Sequence, residues 1–139
     1  APCIYYGDEV GLSAKGDPYC REAFPQNESD WDTDLLSFYQ DTTTLRHRHE
    51  VLRTGRVEWL YAEGRVVAFR RVLGNREAVV VFNAGSEAAS VNLAPDMLRS
   101  SILHPAWPLD ADTDGLRLNG APEPVTIPAR EARVWVSDG

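Results

Sequence analysis

The sequence predicts two successive patterns: a buried strand, a long loop and an amphipathic helix, followed by an antiparallel β-sandwich with Greek-key connections. Three observations support this. Residues 2–6 form a continuous apolar run, and apolar residues recur three and four apart between Leu35 and Leu45. After Gly55, short alternating runs are separated by regularly spaced turn residues. A chain of 139 residues has room for one full hydrophobic core, so the two patterns cannot both be complete domains.

The first pattern comprises one strand, one loop and one helix. The apolar run at residues 2–6 is typical of a strand buried on both faces of a parallel sheet, which needs neighbouring strands. Residues 11–30 are rich in Gly, Pro, Asp, Asn and Ser, which predicts a long loop. Asp32 or Asp34 is expected to cap a helix that ends near Gly55.

The second pattern consists of short strands with polar turns between them. Turn signals fall at 63–64, 74–75, 83–85 and 119–120. The predicted strands are Val57 to Tyr61, Arg65 to Leu73, Glu77 to Asn83, Ala88 to Leu93, Ser100 to His104, Pro124 to Ile127 and Arg133 to Val136. We place the boundary between the two patterns near residues 53–56, which gives domains of 1–55 and 56–139.

The composition argues against several classes of function, including nucleic-acid binding. The net charge of −7, from 21 acidic and 14 basic side chains, would repel a phosphate backbone, so no nucleic-acid partner is expected. No apolar run reaches the ~20 residues of a membrane span, and no cofactor motif occurs. Cys3 and Cys20 are predicted to be free thiols. Because no leader or initiator Met precedes it, Ala1 is interpreted as a cut within a longer protein.

Two groups of polar residues resemble metal sites, and neither predicts one. Asp110, Asp112 and Asp114 begin like a calcium loop, but Ala121 stands where the bidentate acid is needed, so a solvated turn is favoured over a weak ion site. His47 and His49 are two apart on the predicted helix and point in different directions. We therefore assign no metal ligands.

The tryptophans are possible sugar-stacking residues. Trp59 and Trp135 lie within predicted strands, so we assign both to the core. Trp107 lies in a predicted Pro-flanked loop and is the candidate exposed aromatic side chain.

Several motifs resemble the α-amylase family, glycoside hydrolase family 13. The run PCIYYGDEVGL at residues 2–12 is similar to the eighth barrel strand of that family. The segment DPYCREAFP at 17–25 resembles a loop of neopullulanases, maltogenic amylases and oligosaccharide α-glucosidases, with Ala23 and Gln26 where Pro and Trp are common. Residues 36–55 resemble the last barrel helix, apart from the Thr run at 42–44, and the later strands resemble the family's C-terminal β-sandwich.

The resemblance implies that residues 1–55 are the end of a (β/α)8 barrel, comprising its last strand and helix, and that 56–139 form the C-terminal β-sandwich domain. The family's three catalytic acids would lie upstream of Ala1, so this chain alone is expected to be inactive. Asp8 and Glu9 cannot replace them, because a retaining glycosidase needs two facing carboxyls, whereas adjacent strand residues face opposite sides.

The resemblance also assigns Asp17 and Arg21 to substrate binding, as residues that contact glucose hydroxyls. A guanidinium and a carboxylate suit vicinal hydroxyls, and loops at the C-terminal ends of barrel strands carry such sites. An Asp–Arg salt bridge within the loop is the alternative. Tyr6 and Glu9 are assigned structural roles, Tyr6 as a packed strand residue and Glu9 as an anchor of the loop.

Two functions follow as hypotheses. The parent protein is expected to hydrolyse or transfer α-glucosidic bonds of maltooligosaccharides or α-glucans by a retaining mechanism. The alternative is a non-catalytic, amylase-like binding or interaction module. Either way, the first 55 residues cannot close a core alone. They are expected to contact the remainder of the barrel, another protein copy or the sandwich.

Overall fold

The computed structural model describes residues 2–14, 16–17, 21–108, 115–117 and 123–137. The chain divides into two compact units, residues 1–48 and 49–139. No helix in the described ranges is both long and apolar enough to cross a lipid bilayer.

In the first unit, the predicted strand at residues 2–6 is absent, and this expectation is wrong for the chain by itself. The described residues of the unit contain no strand that could pair with residues 2–6. An extended backbone there would therefore form no interstrand hydrogen bonds. Ile4, Tyr5 and Tyr6 are 48%, 55% and 41% exposed. One turn of 3₁₀ helix at Asp8–Val10 follows, and another spans Glu28–Asp30.

The predicted helix forms, but in two pieces. Helix α1 spans Thr33–Arg48, and Asp32 caps it by accepting a hydrogen bond from the Leu35 N–H at 2.9 Å. Within the Thr run, the Thr42 hydroxyl donates to the Phe38 carbonyl at 2.8 Å, as β-hydroxyls do in helices.

Helix α2 spans Glu50–Thr54 and belongs to the second unit. The break falls at His49, whose backbone is extended (φ −109°, ψ 103°) and whose carbonyl accepts from the Leu52 N–H. The prediction of one continuous helix that ends near Gly55 was therefore wrong, because two helices occupy this range.

The second unit is built from antiparallel strands, as predicted. They are β1 (Arg56–Glu63), β2 (Val66–Leu73), β3 (Arg76–Asn83), β4 (Ala89–Leu93), β5 (Ile102–Trp107), β6 (Leu116–Arg117), β7 (Glu123–Ile127) and β8 (Glu131–Val136). The short strand β6 was not predicted, and β5 extends further than expected.

The strands form a six-stranded sheet, in the order β1-β2-β3-β8-β5-β6, and a two-stranded sheet of β4 and β7. The order is not sequential, because the last strand inserts between β3 and β5. Strand β1 is an edge strand, and its register with β2 is interrupted by a bulge between Trp59 and Tyr61.

The core lies between the two sheets. The larger sheet contributes Ala68, Val79, Val81 and Trp135 from β2, β3 and β8, and the smaller one contributes Val91, Leu93 and Ile127. We call this side of the larger sheet its inner face. Because side chains alternate along a strand, the other positions of β2 and β3 form the outer face.

The two tryptophan assignments to the core have different outcomes. Trp135 is 5% exposed and lies in the core, as predicted. Trp59 is 70% exposed, so its assignment to the core is wrong. It pairs with Phe69 on β2, which is on the outer face, and only the inner face packs against the second sheet. Trp107, predicted to be an exposed loop residue, instead ends strand β5 and is partly buried.

A buried asparagine holds one end of β3. The Asn83 side chain is 2% exposed, and its amide nitrogen donates to the carbonyls of Glu87, Ile127 and Pro128 at 2.8–3.1 Å. Its Oδ1 accepts from the Gly85 N–H at 2.8 Å. Asn83 therefore ties the end of β3 to the end of β7 and to the turn that follows β3.

A buried carboxylate holds the other end. Glu77 is fully buried, and its Oε1 accepts from the backbone N–H groups of Arg99 and Ser100 at 2.9 and 2.6 Å. Its Oε2 lies 3.6 Å from Arg70, which is also paired with Glu58. The hydrogen bond from Arg70 holds the pKa of Glu58 below its usual range.

We expect Asn83→Ala to lower the free energy of unfolding by about 1–3 kcal/mol, because buried carbonyls lose their donor. Asn92→Ala is the matched control, since Asn92 is an exposed position of β4. Urea denaturation of the chain monitors both variants. Equal effects would contradict the role of Asn83.

We also expect Glu58 to contribute to the pH dependence of stability. Its folded-state pKa is lowered, so its contribution is present above its ordinary pKa of 4.5 and is lost as the pH falls through the lower folded value. Glu58→Gln should therefore flatten the stability profile below about pH 4.5. Urea titrations at several pH values test this, and an unchanged profile would contradict it.

Candidate functional site

The candidate site lies in the first unit, in the long loop that begins at Gly7 and ends at Trp31. Its first turn is fixed by glycine and a carboxylate. Gly7 has φ +89°, and a Cβ there would meet the Leu12 side chain at 2.6 Å, so no other residue fits. Glu9 Oε2 accepts a hydrogen bond from the Gly7 N–H at 2.9 Å, which anchors the start of the loop.

The preceding segment is tied to the far part of the loop. The Tyr6 hydroxyl donates to the Glu22 carbonyl at 2.8 Å across 16 residues. Tyr6 is therefore a structural residue, although it acts through this hydrogen bond rather than by packing within a strand. Glu22 directly follows Arg21, so this bond holds the backbone next to one of the candidate substrate-binding residues.

The end of the loop is fixed by an aromatic contact and a backbone hydrogen bond. The Trp31 indole N–H donates to the Pro25 carbonyl at 2.9 Å, and the Phe24 and Trp31 rings meet edge to face, 5.7 Å apart. The Asp32 N–H donates to the Val10 carbonyl at 3.1 Å. The two ends of the loop are thereby brought together.

Asp17 and Arg21 come close to each other in this loop. Arg21 Nη2 lies 3.5 Å from Asp17 Oδ1, and the side chains are 75% and 73% exposed. An ion pair this exposed contributes about 0–1 kcal/mol to stability. The geometry combines a planar cluster of N–H donors with a carboxylate acceptor at the surface, a set that can bind adjacent hydroxyl groups.

The other acidic and metal-binding candidates do not form a site in the described residues. Asp8 and Glu9 lie in the 3₁₀ turn, where Glu9 bonds to its own loop. Within the described ranges, no three His, Cys, Asp or Glu side chains come together as metal ligands would. Asp110, Asp112 and Asp114 lie outside those ranges, as does Cys20, while Cys3 is an exposed free thiol.

An aromatic cluster on the outer face of the larger sheet was not predicted from the sequence. Trp59 and Phe69 meet edge to face, 5.6 Å apart, and Phe69 and Phe82 lie 6.2 Å apart with their rings nearly parallel. The signal was present, because residues 78–82 are apolar without interruption, a pattern typical of a strand covered on both faces.

No protein-family model matches the chain. Among curated proteins, the chain is 45% identical over 84 residues to a cyclomaltodextrinase of Bacillus sp., which covers 59% of this chain and 15% of the relative. It is 41% identical over 95 residues to an amylopullulanase of Thermoanaerobacter thermohydrosulfuricus, covering 60% of this chain and 6% of the relative. The chain thus spans 15% or less of the length of these two relatives.

Solved structures match both units. The native form of the Nostoc punctiforme debranching enzyme superposes with a TM-score of 0.79 at 33% identity, over 99% of this chain and 28% of the enzyme. The cyclic α-maltosyl-(1→6)-maltose hydrolase of Arthrobacter globiformis, in complex with that sugar, gives a TM-score of 0.73 at 30% identity, over 99% of this chain and 27% of the hydrolase.

These similarities define the class of protein: the chain is similar to a segment of known glycoside hydrolases, and its β-domain matches the C-terminal domains of amylases. The chain belongs to the α-amylase family, glycoside hydrolase family 13, and corresponds to a C-terminal part of such an enzyme.

Proposed function

We propose that the chain is the C-terminal part of a retaining glycosidase that acts on α-glucosidic bonds of maltodextrins or related α-glucans. The observation that carries this proposal is the similarity to the Nostoc debranching enzyme over 99% of the chain, which includes the loop unit as well as the β-domain. The sugar complex of the Arthrobacter hydrolase supports an α-glucan as the substrate class.

In this proposal, residues 1–55 form the end of the catalytic barrel, and 56–139 form the β-sandwich domain. The exposed apolar side chains of Ile4, Tyr5 and Phe38 support it, because a strand and a helix taken from a barrel would leave such surfaces uncovered. Val10 and Leu45 are the only buried apolar side chains among the described residues of the first unit, residues 1–48. The unit needs the remainder of the barrel to complete its core.

Asp17 and Arg21 are proposed to hold sugar hydroxyls beside the cleaved bond. Their exposure leaves both groups accessible to a sugar, and the hydrogen bond of Tyr6 to Glu22 restrains the backbone beside Arg21. The catalytic carboxylates are proposed to lie in the polypeptide upstream of Ala1. The role of this chain is then to complete the barrel and to supply one side of the substrate site.

The purified 139-residue chain is expected to show no hydrolysis of maltooligosaccharides, while the parent enzyme is active. Release of reducing sugar measures both, with a boiled sample as the control. Turnover by the chain alone would contradict the assignment of the catalytic acids. A parent that binds maltooligosaccharides without cleaving them would favour the non-catalytic module.

In the parent enzyme, Arg21→Ala should lower kcat/KM for maltooligosaccharides by about 10–100-fold, as expected when hydrogen bonds from a charged donor are lost. Arg21→Lys should recover only part of this loss, because an ammonium lacks the planar fork. Arg65→Ala, at the exposed turn between β1 and β2, is the matched control.

If Arg21 serves only the ion pair with Asp17, its removal leaves kcat/KM at the level of Arg65→Ala. In that case Arg21→Ala changes only the free energy of unfolding, and by less than about 1 kcal/mol.

A further inference from the structure

One arginine on the inner face of the larger sheet contacts three parts of the β-domain. Arg70 of β2 lies opposite Glu58 of β1 in the strand register, and its Nε and Nη2 atoms lie 2.7 and 2.6 Å from Glu58 Oε2. Its Nη1 donates to the Met97 carbonyl, in the segment between β4 and β5. The Arg70 side chain is only 15% exposed, so protein groups surround most of it.

A second carboxylate lies within reach of the same guanidinium. Glu77 of β3 is opposite Val72, two residues beyond Arg70 along β2, so Glu77 is a diagonal neighbour of Arg70 on the same face. Glu77 Oε2 lies 3.6 Å from Arg70 Nη1. This oxygen is buried, and no hydrogen-bond donor among the described residues reaches it. One cation therefore faces two carboxylates.

The two carboxylates share the cation unequally. The Glu58 side chain is 22% exposed and binds two guanidinium nitrogens, whereas Glu77 is fully buried and Oε2 receives no hydrogen bond from the described residues. A buried polar atom without a hydrogen bond is costly, and a hydrogen bond to a charged group is stronger where water is excluded. Glu77 therefore becomes the stronger acceptor for Arg70 once Glu58 loses its charge.

The other cations near Glu58 are exposed. Arg56 of β1 pairs with Glu58, and its side chain is 72% exposed. Arg99, in the segment that leads into β5, is also exposed. The hydrogen bond from Arg70 lowers the pKa of Glu58 most; burial opposes it, and the positive charges of the three arginines lower it further. Loss of the Glu58 charge therefore releases one largely buried cation, Arg70.

We propose that Arg70 is a switch with two carboxylate partners: it pairs with Glu58 while that group is ionised, and turns to Glu77 when Glu58 is protonated or lost. The movement is short, because Nη1 has to approach Oε2 by less than about 1 Å. Nη1 carries two hydrogens, so it can bind Oε2 and keep the Met97 carbonyl. The exchange separates the edge strand β1 from the guanidinium, so β1 is the part of the larger sheet that opens first in acid. This inference does not depend on the proposed enzymatic function.

A thermodynamic cycle at pH 7 tests the exchange, with urea denaturation of the 139-residue chain as the measurement. Glu58→Gln represents the protonated state. We expect Glu77→Gln to raise the equilibrium constant of unfolding at least about fivefold more in the Glu58→Gln background than on its own, because only there has the bond from Arg70 to Glu77 formed. Asn83→Ala, at the other end of β3, is the matched control and should have the same effect in both backgrounds.

The sign of the difference decides the outcome. Equal effects of Glu77→Gln in the two backgrounds would mean that Glu58 and Glu77 act independently. A smaller effect in the Glu58→Gln background would mean that Arg70 leaves both carboxylates when Glu58 is lost. Either result would overturn the proposal.

The Glu58→Gln chain alone provides a second test, which decides the question if Glu77→Gln does not fold. Its crystal structure at pH 7 should show the distance from Nη1 to Oε2 shortened from 3.6 Å to about 3 Å. Amide hydrogen exchange should be at least about threefold faster in β1, while the Gly85 N–H, bound by Asn83, keeps its rate. An unchanged distance, or equal acceleration in β1 and at Gly85, would contradict the switch.

Discussion

Strand β3 is the constraint on which the second unit depends, because a buried polar side chain holds it at each end. At its start, Glu77 accepts two backbone hydrogen bonds from the segment that leads into β5. At its end, Asn83 binds three carbonyls, of which two, those of Ile127 and Pro128, lie at the end of β7. An unpaired polar group is costly when buried, so the backbone segments that bind Glu77 Oε1 and the Asn83 amide are held in position. Glu77 Oε2 has no hydrogen bond within the described residues and lies 3.6 Å from Arg70. The apolar core between the sheets packs against this strand, whose two ends are held by the hydrogen bonds of Glu77 Oε1 and the Asn83 amide.

The two units are stabilised by different interactions. The β-domain has a continuous core, whereas the first unit has few buried apolar side chains among its described residues and is held by specific hydrogen bonds. Those of Glu9, Tyr6 and Trp31 fix the loop that presents Asp17 and Arg21. Such bonds set the conformation of a loop at little net gain in stability. A loop of this kind can hold ligand-binding groups in place, provided that a larger scaffold supports it.

Much of the fold could be predicted from the sequence, since hydrophobic alternation and turn residues located every strand except the two-residue β6. Asp32 was one of two residues, with Asp34, expected to cap α1, and its side chain makes the capping hydrogen bond. The strand predicted at residues 2–6 is absent from the structure, because such a strand depends on neighbouring strands that the described residues do not supply. Trp59 was misassigned because alternation divides residues between two faces without identifying the covered one. For the site, motif resemblance identified Asp17 and Arg21, but the bond between Tyr6 and Glu22 spans 16 residues and leaves no local signal.

The bulge in β1 has a consequence for solubility. An edge strand offers unpaired backbone groups to any other strand, and a long regular edge invites fibril-like stacking between molecules. In β1 the register breaks after Trp59, and charged residues stand at both ends of the strand, at Arg56 and Glu63. A second molecule therefore cannot extend the sheet along the whole edge. The sheet can present an aromatic face next to this strand without exposing a regular template for aggregation at its margin.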